Sequence, residues 1–483
     1  MRTSLLFGLL LVLGASPTLW AAPSDGDWAR FRGPNGSGVS GDAEAFPTRW
    51  SGTENVKWKV ALPGPGLSSP IIVGKRVFVT CWSGYGVGDD IGEEKDLRRH
   101  LVCLDRLNGK EIWSKSLEPV LPEDEYRGMF TQNGYASHTP TSDGENVYAF
   151  FGKTGLVAFD LDGKKLWQSS VGTGSGMRGW GSASSPILYK NLVIVTASAE
   201  SEAVVALDKK TGKEVWNQKA EGFVGTWGTP ILVKVDDNRQ DLVLGVPYEV
   251  WGLNPDNGKL RWFADGIDDE TTCASVVAHD GVVYGLGGRG GGSFAVRAGG
   301  KGDVNKTHVV WRGNDQARVG TPVVHGGRLY GINGGVANGY DLKTGKRVQQ
   351  LRLQRSESKE EVAGNDEPPR ERGERRRGGR RGGRGGRGRG GSDYSSPVVA
   401  GDKLYYFSRS GGAHVLQLGS EVKQVGHNRF GPSGEEFSAS PAISRGELFI
   451  RSSTTLYCIA LLSTVQSTTF GERVPLASRQ PVK

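Results

Sequence analysis

The chain has 483 residues, of which 36% are hydrophobic and 74 are glycine, with 60 Lys and Arg against 52 Asp and Glu for a net charge of +8. After the first two dozen residues no run approaches the roughly 18 apolar residues of a membrane-spanning helix, so no span is expected there. Four cysteines with no CxxC and no adjacent pair, and seven scattered histidines, exclude a zinc or haem centre built on a short ligand motif.

Residues 1–22 carry Arg2, an apolar run from Leu5 to Leu13, and the small residues Ala21 and Ala22. That order predicts a secretory signal peptide, and hence an exported protein in the periplasm or outside the cell. No Cys follows the run, which argues against a lipoprotein anchor.

Beyond an isolated strand at 55–62 with Trp58 at its centre, the sequence repeats. One phrase reads CLDRLNGKEIW at 103–113, AFDLDGKKLW at 158–167, ALDKKTGKEVW at 206–216 and GLNPDNGKLRW at 252–262, with a degraded copy, GYDLKTGKRVQ, at 339–349. A period of about 45 residues marks a repeat architecture. A second anchor, a small polar residue and Pro before a hydrophobic strand, occurs as SSPIIV (68–73), HTPTS (138–142), SSPILY (184–189), GTPILV (228–233), CASVVA (273–278, without Pro), GTPVVH (320–325), SSPVVA (395–400) and ASPAIS (439–444). Each anchor is followed by a turn and a second strand. The third strand ends in the small residue of the phrase, and the fourth carries Trp. The fold class is therefore all-β, an eight-bladed propeller of four-stranded antiparallel blades.

The last unit stops without a Trp strand. Residues 55–62 are predicted to supply it, closing the ring and removing its exposed sheet edges. Trp58, Trp113, Trp167, Trp216, Trp262 and Trp311 are read as wedges between blades, with weaker equivalents at Gln349 and near 422–425. The Gly of the phrase provides a positive φ in the preceding turn. Cys103 and Cys458 hold the small-residue position of the repeat and are read as buried packing. A Cys81–Cys103 bridge within the first blade stays open as an alternative.

At these residues the chain resembles the tryptophan-docking repeat of pyrroloquinoline quinone (PQQ)-type propellers, the superfamily of quinoprotein alcohol dehydrogenases and the assembly lipoprotein BamB. The segment DWARFRGPNGSGVS (27–40) is similar to that of exported PQQ-like repeat proteins. The resemblance covers about 27–460 and is specific for fold. WD40 repeats, the other propeller reading, end in Trp-Asp after Gly-His, which is absent. For the quinoprotein enzymes the resemblance implies PQQ stacked on Trp, a calcium ion, an Asp base and an adjacent Cys–Cys disulfide. No such Cys pair exists here, and no calcium ligand is matched by motif. No catalytic, cofactor or metal residue is carried over. Asp89, Asp90, Glu93 and Glu94 lack the spacing of a calcium loop and read as a solvated turn.

Strand direction places three long insertions on one face: 82–99, 118–137 and 354–392. The channel mouth on that face is expected to present His138, Arg178, Trp180, Trp227, Glu270, Arg318, Tyr394 and Glu436. Such a ring suits a peptide, a sugar or a planar cofactor, and equally an ordinary polar rim.

The stretch 370–391 holds ten Arg and two Glu, a net of +8, which is the net charge of the whole chain. The insert 354–392 and the tail 461–483 are expected to be disordered. Arg375, Arg376, Arg377, Arg380, Arg381, Arg384, Arg387 and Arg389 offer contacts to lipid head groups, acidic polysaccharide or extracellular nucleic acid. No aromatic is interleaved, which argues against base stacking. The functional expectation is an exported, non-catalytic scaffold that needs no cofactor and binds an envelope protein or peptide on the loop-bearing face. The alternatives are a PQQ-dependent dehydrogenase and a polyanion-binding protein.

Overall fold

Alternating apolar residues separated by Gly-rich turns have one low-energy outcome here, short strands that bury both faces between neighbouring sheets. The computed structural model describes residues 26–462 apart from 43, 89, 289, 355–392 and 430–434. The expected signal peptide, the arginines of the insert and the tail from 463 lie outside the described residues. Eight antiparallel sheets form the blades of a propeller. Among the described residues, helix is confined to 3-10 turns of three to five residues.

Each anchor leads into an inner strand: Ile71–Val73, Thr141–Ser142, Ile187–Tyr189, Ile231–Lys234, Val277–His279, Val323–His325, Val398–Ala400 and Ala442–Ser444. The first blade continues outward through Arg76–Ser83 and Arg98–Asp105 to Glu111–Leu117, which carries Trp113. The ring closes as the repeat demands. Val56–Ala61 pairs antiparallel with Thr455–Ala460, and Trp58 stands opposite Cys458. Arg347–Arg352 and Lys423–Arg429 supply the outer strands of the two blades without Trp.

Two blades differ from the four-stranded expectation. Gly302–Asp303 adds in parallel to the outer strand Leu260–Asp265, and Val39–Ser40 adds in parallel to the inner strand Val398–Ala400. Val39–Ser40 comes from the segment before the repeat and Gly302–Asp303 from the link between the third and fourth strands of the fifth blade, and both cover backbone that an edge would otherwise leave unpaired.

The core is divided into clusters between adjacent blades. Phe78, Leu101 and Cys103 of the first blade pack against Val147, Ala149 and Phe159 of the second. Val193, Val195 and Val205 of the third pack against Phe150 and Leu156 of the second. The indoles tie these clusters together. Trp58, Trp113, Trp167, Trp216 and Trp311 donate Nε1–H to the carbonyls of Arg106, Leu161, Lys209, Pro255 and Leu342, each in the next blade's outer turn, at 2.8 to 3.1 Å. The turn glycines Gly109, Gly163, Gly212, Gly258 and Gly345 lie under these rings, with no room for a Cβ. The glycine of the phrase thus serves φ and docking together. Trp262 differs: its Nε1–H goes to Asp241 within its own blade, 2.7 Å away. Cys81, Cys103 and Cys458 are buried thiols, and burial pushes Cys81 up to about 11 and Cys103 up to about 12. Cys81 faces His100 across the strand pair and Cys103 faces Phe78, so the two are not neighbours and no bridge joins them.

Candidate functional site

The anchors build the site. In the blades with Pro, the missing N–H and the extended conformation forced on the preceding residue turn that residue's hydroxyl toward the axis. The eight hydroxyls are those of Ser69, Thr139, Ser185, Thr229, Ser275, Thr321, Ser396 and Ser440, all buried in the throat of the channel. Each backbone N–H from Ser69 to Ser396 donates to the next hydroxyl round the ring, giving seven links of 2.9 to 3.0 Å. Ser275 takes this position in the blade whose anchor lacks Pro.

Above the hydroxyls lies a second tier, two residues earlier in each strand approach. It includes Leu67, Trp227, Cys273 and Tyr394. The blade links form the rim. Together they enclose a cavity of about 1140 Å³.

Phe31 forms part of its floor. It belongs to the 27–40 segment, which crosses the far end of the channel. Trp28 exchanges backbone hydrogen bonds with Ile72 of the first blade, each at 3.0 Å. The Ala29 carbonyl accepts from Ser142 of the second, and Asn35 bonds the backbone of Leu232 in the fourth. Arg32 is 1% exposed and donates to the carbonyls of Pro322 (2.7 Å) and Pro397 (2.9 Å) and to Gly36 and Ser37 of its own segment. Gly33 and Gly38 are required there, because a Cβ would enter the Trp28 ring or the Arg32 guanidinium. The channel is therefore a blind funnel, open on the loop-bearing face.

Six of the eight residues expected at the mouth line this funnel: Arg178, Trp180, Trp227, Glu270, Arg318 and Tyr394. Trp180 and Trp227 face each other with centroids 6.0 Å apart and planes 32° apart. The Trp227 Nε1–H donates to the Gly181 carbonyl at 2.8 Å, which fixes the ring. The Arg178 guanidinium lies 5.3 Å from the Trp180 centroid and 3.2 Å from Glu270. Arg178 and Arg318 both hold left-handed backbone, φ 55 and 57, a strained state for a residue with a Cβ. The Tyr394 hydroxyl donates to Gln132 at 2.9 Å. Glu436 sits outside the lining, paired with Arg409 at 2.8 Å.

His138 requires a correction. It precedes Thr139, whose hydroxyl takes the axial position, so strand alternation turns His138 into the wedge between blades. It is 5% exposed, its ring lies 4.6 Å from Phe150, and its Nε2 is 2.9 Å from Ser182 Oγ. Ser182 donates to Glu200 Oε1, so the His138 Nε2–H donates to Ser182. Burial, with Arg99 beside it, pushes His138 down to about 3. Burial pushes Glu200 up to about 7, against the Ser182 hydrogen bond.

The insertions on this face are built structure. Trp82, Tyr85, Leu97, Phe130 and Tyr135 form their own small core. Arg99 and Glu123 make a two-pronged buried ion pair, at 2.6 and 2.9 Å, that staples the 118–137 link to the first blade. Val87, Ile91 and Leu121 stay exposed on these insertions, and Met129, also exposed, lines the mouth of the funnel. Of the third insertion, residues 355–392 with all eight candidate arginines fall outside the described residues.

The hydroxyl ring and the 27–40 plug were not foreseen as site elements. A signal for the first existed: the Ser or Thr before each Pro is the axial residue. No local pattern announces the second.

The family model described as outer membrane protein assembly factor BamB matches residues 48–179 and 97–351. Over 296 residues the chain is 26% identical to a polyvinylalcohol dehydrogenase from a Pseudomonas species, covering 43% of this chain and 46% of that protein. The chain thus spans about half the length of that curated relative. Solved structures with the same architecture include BamB from Moraxella catarrhalis (11% identity, TM-score 0.54, 83% of this chain and 96% of that one). A europium-containing methanol dehydrogenase matches with 12% identity and TM-score 0.58 over 91% of this chain and 98% of that one. A quinohemoprotein alcohol dehydrogenase from Comamonas testosteroni matches with 12% identity and TM-score 0.57 over 96% and 84%. At such identities the likeness to solved structures speaks for fold alone. With the family model spanning more than half of its length, the chain belongs to the PQQ-repeat propeller family of the outer membrane assembly factor BamB.

Proposed function

We propose that this is an exported, non-catalytic propeller scaffold, with residues 1–22 as its signal peptide, that binds an envelope protein or other envelope ligand on the face carrying the long loops. The observation that carries this reading is the wall built from 82–99 and 118–137, which raises exposed Ile91, Leu121 and Met129 above a packed base. Exposed apolar side chains on a rigid support are the chemistry of a protein contact. The test is crosslinking in the envelope fraction, comparing wild type with Ile91→Asp and Leu121→Asp. Loss of one discrete adduct in both variants is expected; an unchanged adduct pattern sinks the reading.

A second reading, a PQQ-dependent dehydrogenase, draws on the polyvinylalcohol dehydrogenase match. The funnel's aromatic wall suits a planar quinone, but the donor set fits a divalent cation poorly. Asp269 already accepts from Thr271 N, Thr271 Oγ1 and Gly290 N, and Glu270 is paired with Arg178. Among the described residues no group of three His, Cys, Asp or Glu side chains converges. Adding PQQ with calcium and following dye reduction by alcohols tests this reading, and turnover would replace the scaffold proposal.

A further inference from the structure

We infer that the throat of the funnel binds the acidic end of an oligosaccharide, a sugar acid whose carboxylate and ring oxygens accept from the hydroxyl ring while its apolar face stacks on Trp227. This deepens the reading of the loop-bearing face as a binding face.

The warrant is an excess of hydrogen-bond donors. Thr139, Ser185, Thr229, Ser275, Thr321, Ser396 and Ser440 each accept a backbone N–H from the neighbouring blade. Each hydroxyl has one proton to give, and among the described residues these seven take part in hydrogen bonds as acceptors alone. All seven are buried in the throat. A buried donor is satisfied by water or by a ligand. Arg318 adds a guanidinium to the same wall, held at φ 57 and tied through its backbone N–H to the Gly287 carbonyl at 3.1 Å.

Asp269 and Glu270 share this wall but are engaged by Thr271, Gly290 and Arg178, so Arg318 is the lining cation without a carboxylate partner among the described residues. The preferred occupant is therefore rich in acceptor oxygens and carries negative charge. A peptide brings N–H groups as well as carbonyls, and the throat hydroxyls, each already accepting a backbone N–H, have only a proton of their own left to offer its carbonyls. A sugar acid brings hydroxyl and ring oxygens, a carboxylate and a flat apolar face. Trp227 offers that face a platform, since its own N–H is spent on Gly181. The 27–40 plug closes the far end, so a chain enters end-on and cannot thread through.

Isothermal titration calorimetry on the full chain tests this with tetragalacturonic acid, its methyl ester and maltotetraose. The acid is expected to bind about tenfold or more tightly than the ester, the value of one charged hydrogen-bond set, with maltotetraose weaker still. Arg318→Gly, which suits the positive φ and so keeps the fold, and Trp227→Phe are each expected to weaken the acid about tenfold. Equal binding of acid and ester, or acid binding indifferent to both variants, overturns the inference; the second outcome assigns the sugar to another basic surface. Absence of binding at millimolar sugar, or PQQ binding in its place, overturns it as well. Crosslinking through Ile91 and Leu121 reports on the scaffold reading separately, so either proposal can fail alone.

Discussion

The indole of Trp58 lies across Gly109. A Cβ on Gly109 would fall 2.6 Å from the Trp58 ring, and the Trp58 Nε1–H reaches the Arg106 carbonyl at 2.9 Å. The two residues belong to the last and first blades, so this contact locks the ring. Gly109 also holds φ 73. Gly109→Ala is expected to cost about 2 kcal/mol or more, combining the left-handed penalty with overpacking against the indole. Gly345→Ala, under Trp311, should cost a similar amount. Midpoints of denaturant unfolding measure both, and an unshifted midpoint for the pair refutes the docking account.

The blades are legible because their signals are local: the glycine turn, the Trp after it and the hydroxyl-Pro anchor lie within a few residues of one another. Even Gln349, which replaces the Trp, keeps its role by donating to the Gly419 and Ser420 carbonyls of the next blade at 3.0 and 2.7 Å. The plug is illegible for the opposite reason. Arg32 reads as one cation among many until the closed ring brings it the carbonyls of Pro322 and Pro397, 290 and 365 residues away. His138 misleads because the choice between axis and blade interface turns on a one-residue register, which an anchor holding several small polar residues leaves ambiguous.

Arg32 is expected to be a stability residue. Arg32→Met would leave the Pro322 and Pro397 carbonyls buried without a donor, a loss of about 3 kcal/mol or more. Arg32→Lys should recover less than half, since one ammonium cannot reproduce the guanidinium's spread of donors. Thermal midpoints read the loss. Proteolysis within 26–40, faster in both variants than in wild type, locates it.

The His138–Ser182–Glu200 cluster, with Arg99 and Asp124 nearby, predicts opposed pH limbs. Glu200 is raised to about 7 from 4.5, so its contribution is full below 4.5 and is lost as pH rises through 7. His138 is lowered to about 3 from 6.5, so its contribution is full above 6.5 and is lost as pH falls through 3. Between pH 4.5 and 6.5 the two slopes oppose, leaving a plateau. Glu200→Gln should flatten the upper limb, worth roughly 3 kcal/mol at full ionisation. His138→Gln should flatten the lower limb. Thermal midpoints from pH 3 to 8 check this, and parallel curves for wild type and Glu200→Gln would dismiss the upper limb.

Asp241 carries the fourth blade where the common docking fails. In the fifth blade a longer link between the third and fourth strands lays Gly302–Asp303 along the outer strand of the fourth, and the Trp262 indole donates within its own blade instead. Asp241, 0% exposed, is its partner there: Oδ2 accepts from Trp262 at 2.7 Å, while both oxygens accept from Arg239 and Oδ1 from Arg261 at 2.6 Å. An amide at this position cannot accept on both atoms, so Asp241→Asn strands at least one of these donors. The expected loss is about 3 kcal/mol, the usual result of breaking a buried ion pair from one side. If the indole bond is part of that loss, Trp262→Phe and Asp241→Asn should be strongly non-additive, the double variant losing less than the sum of the singles. Strict additivity in a double-mutant cycle would show that Asp241 serves the two arginines alone.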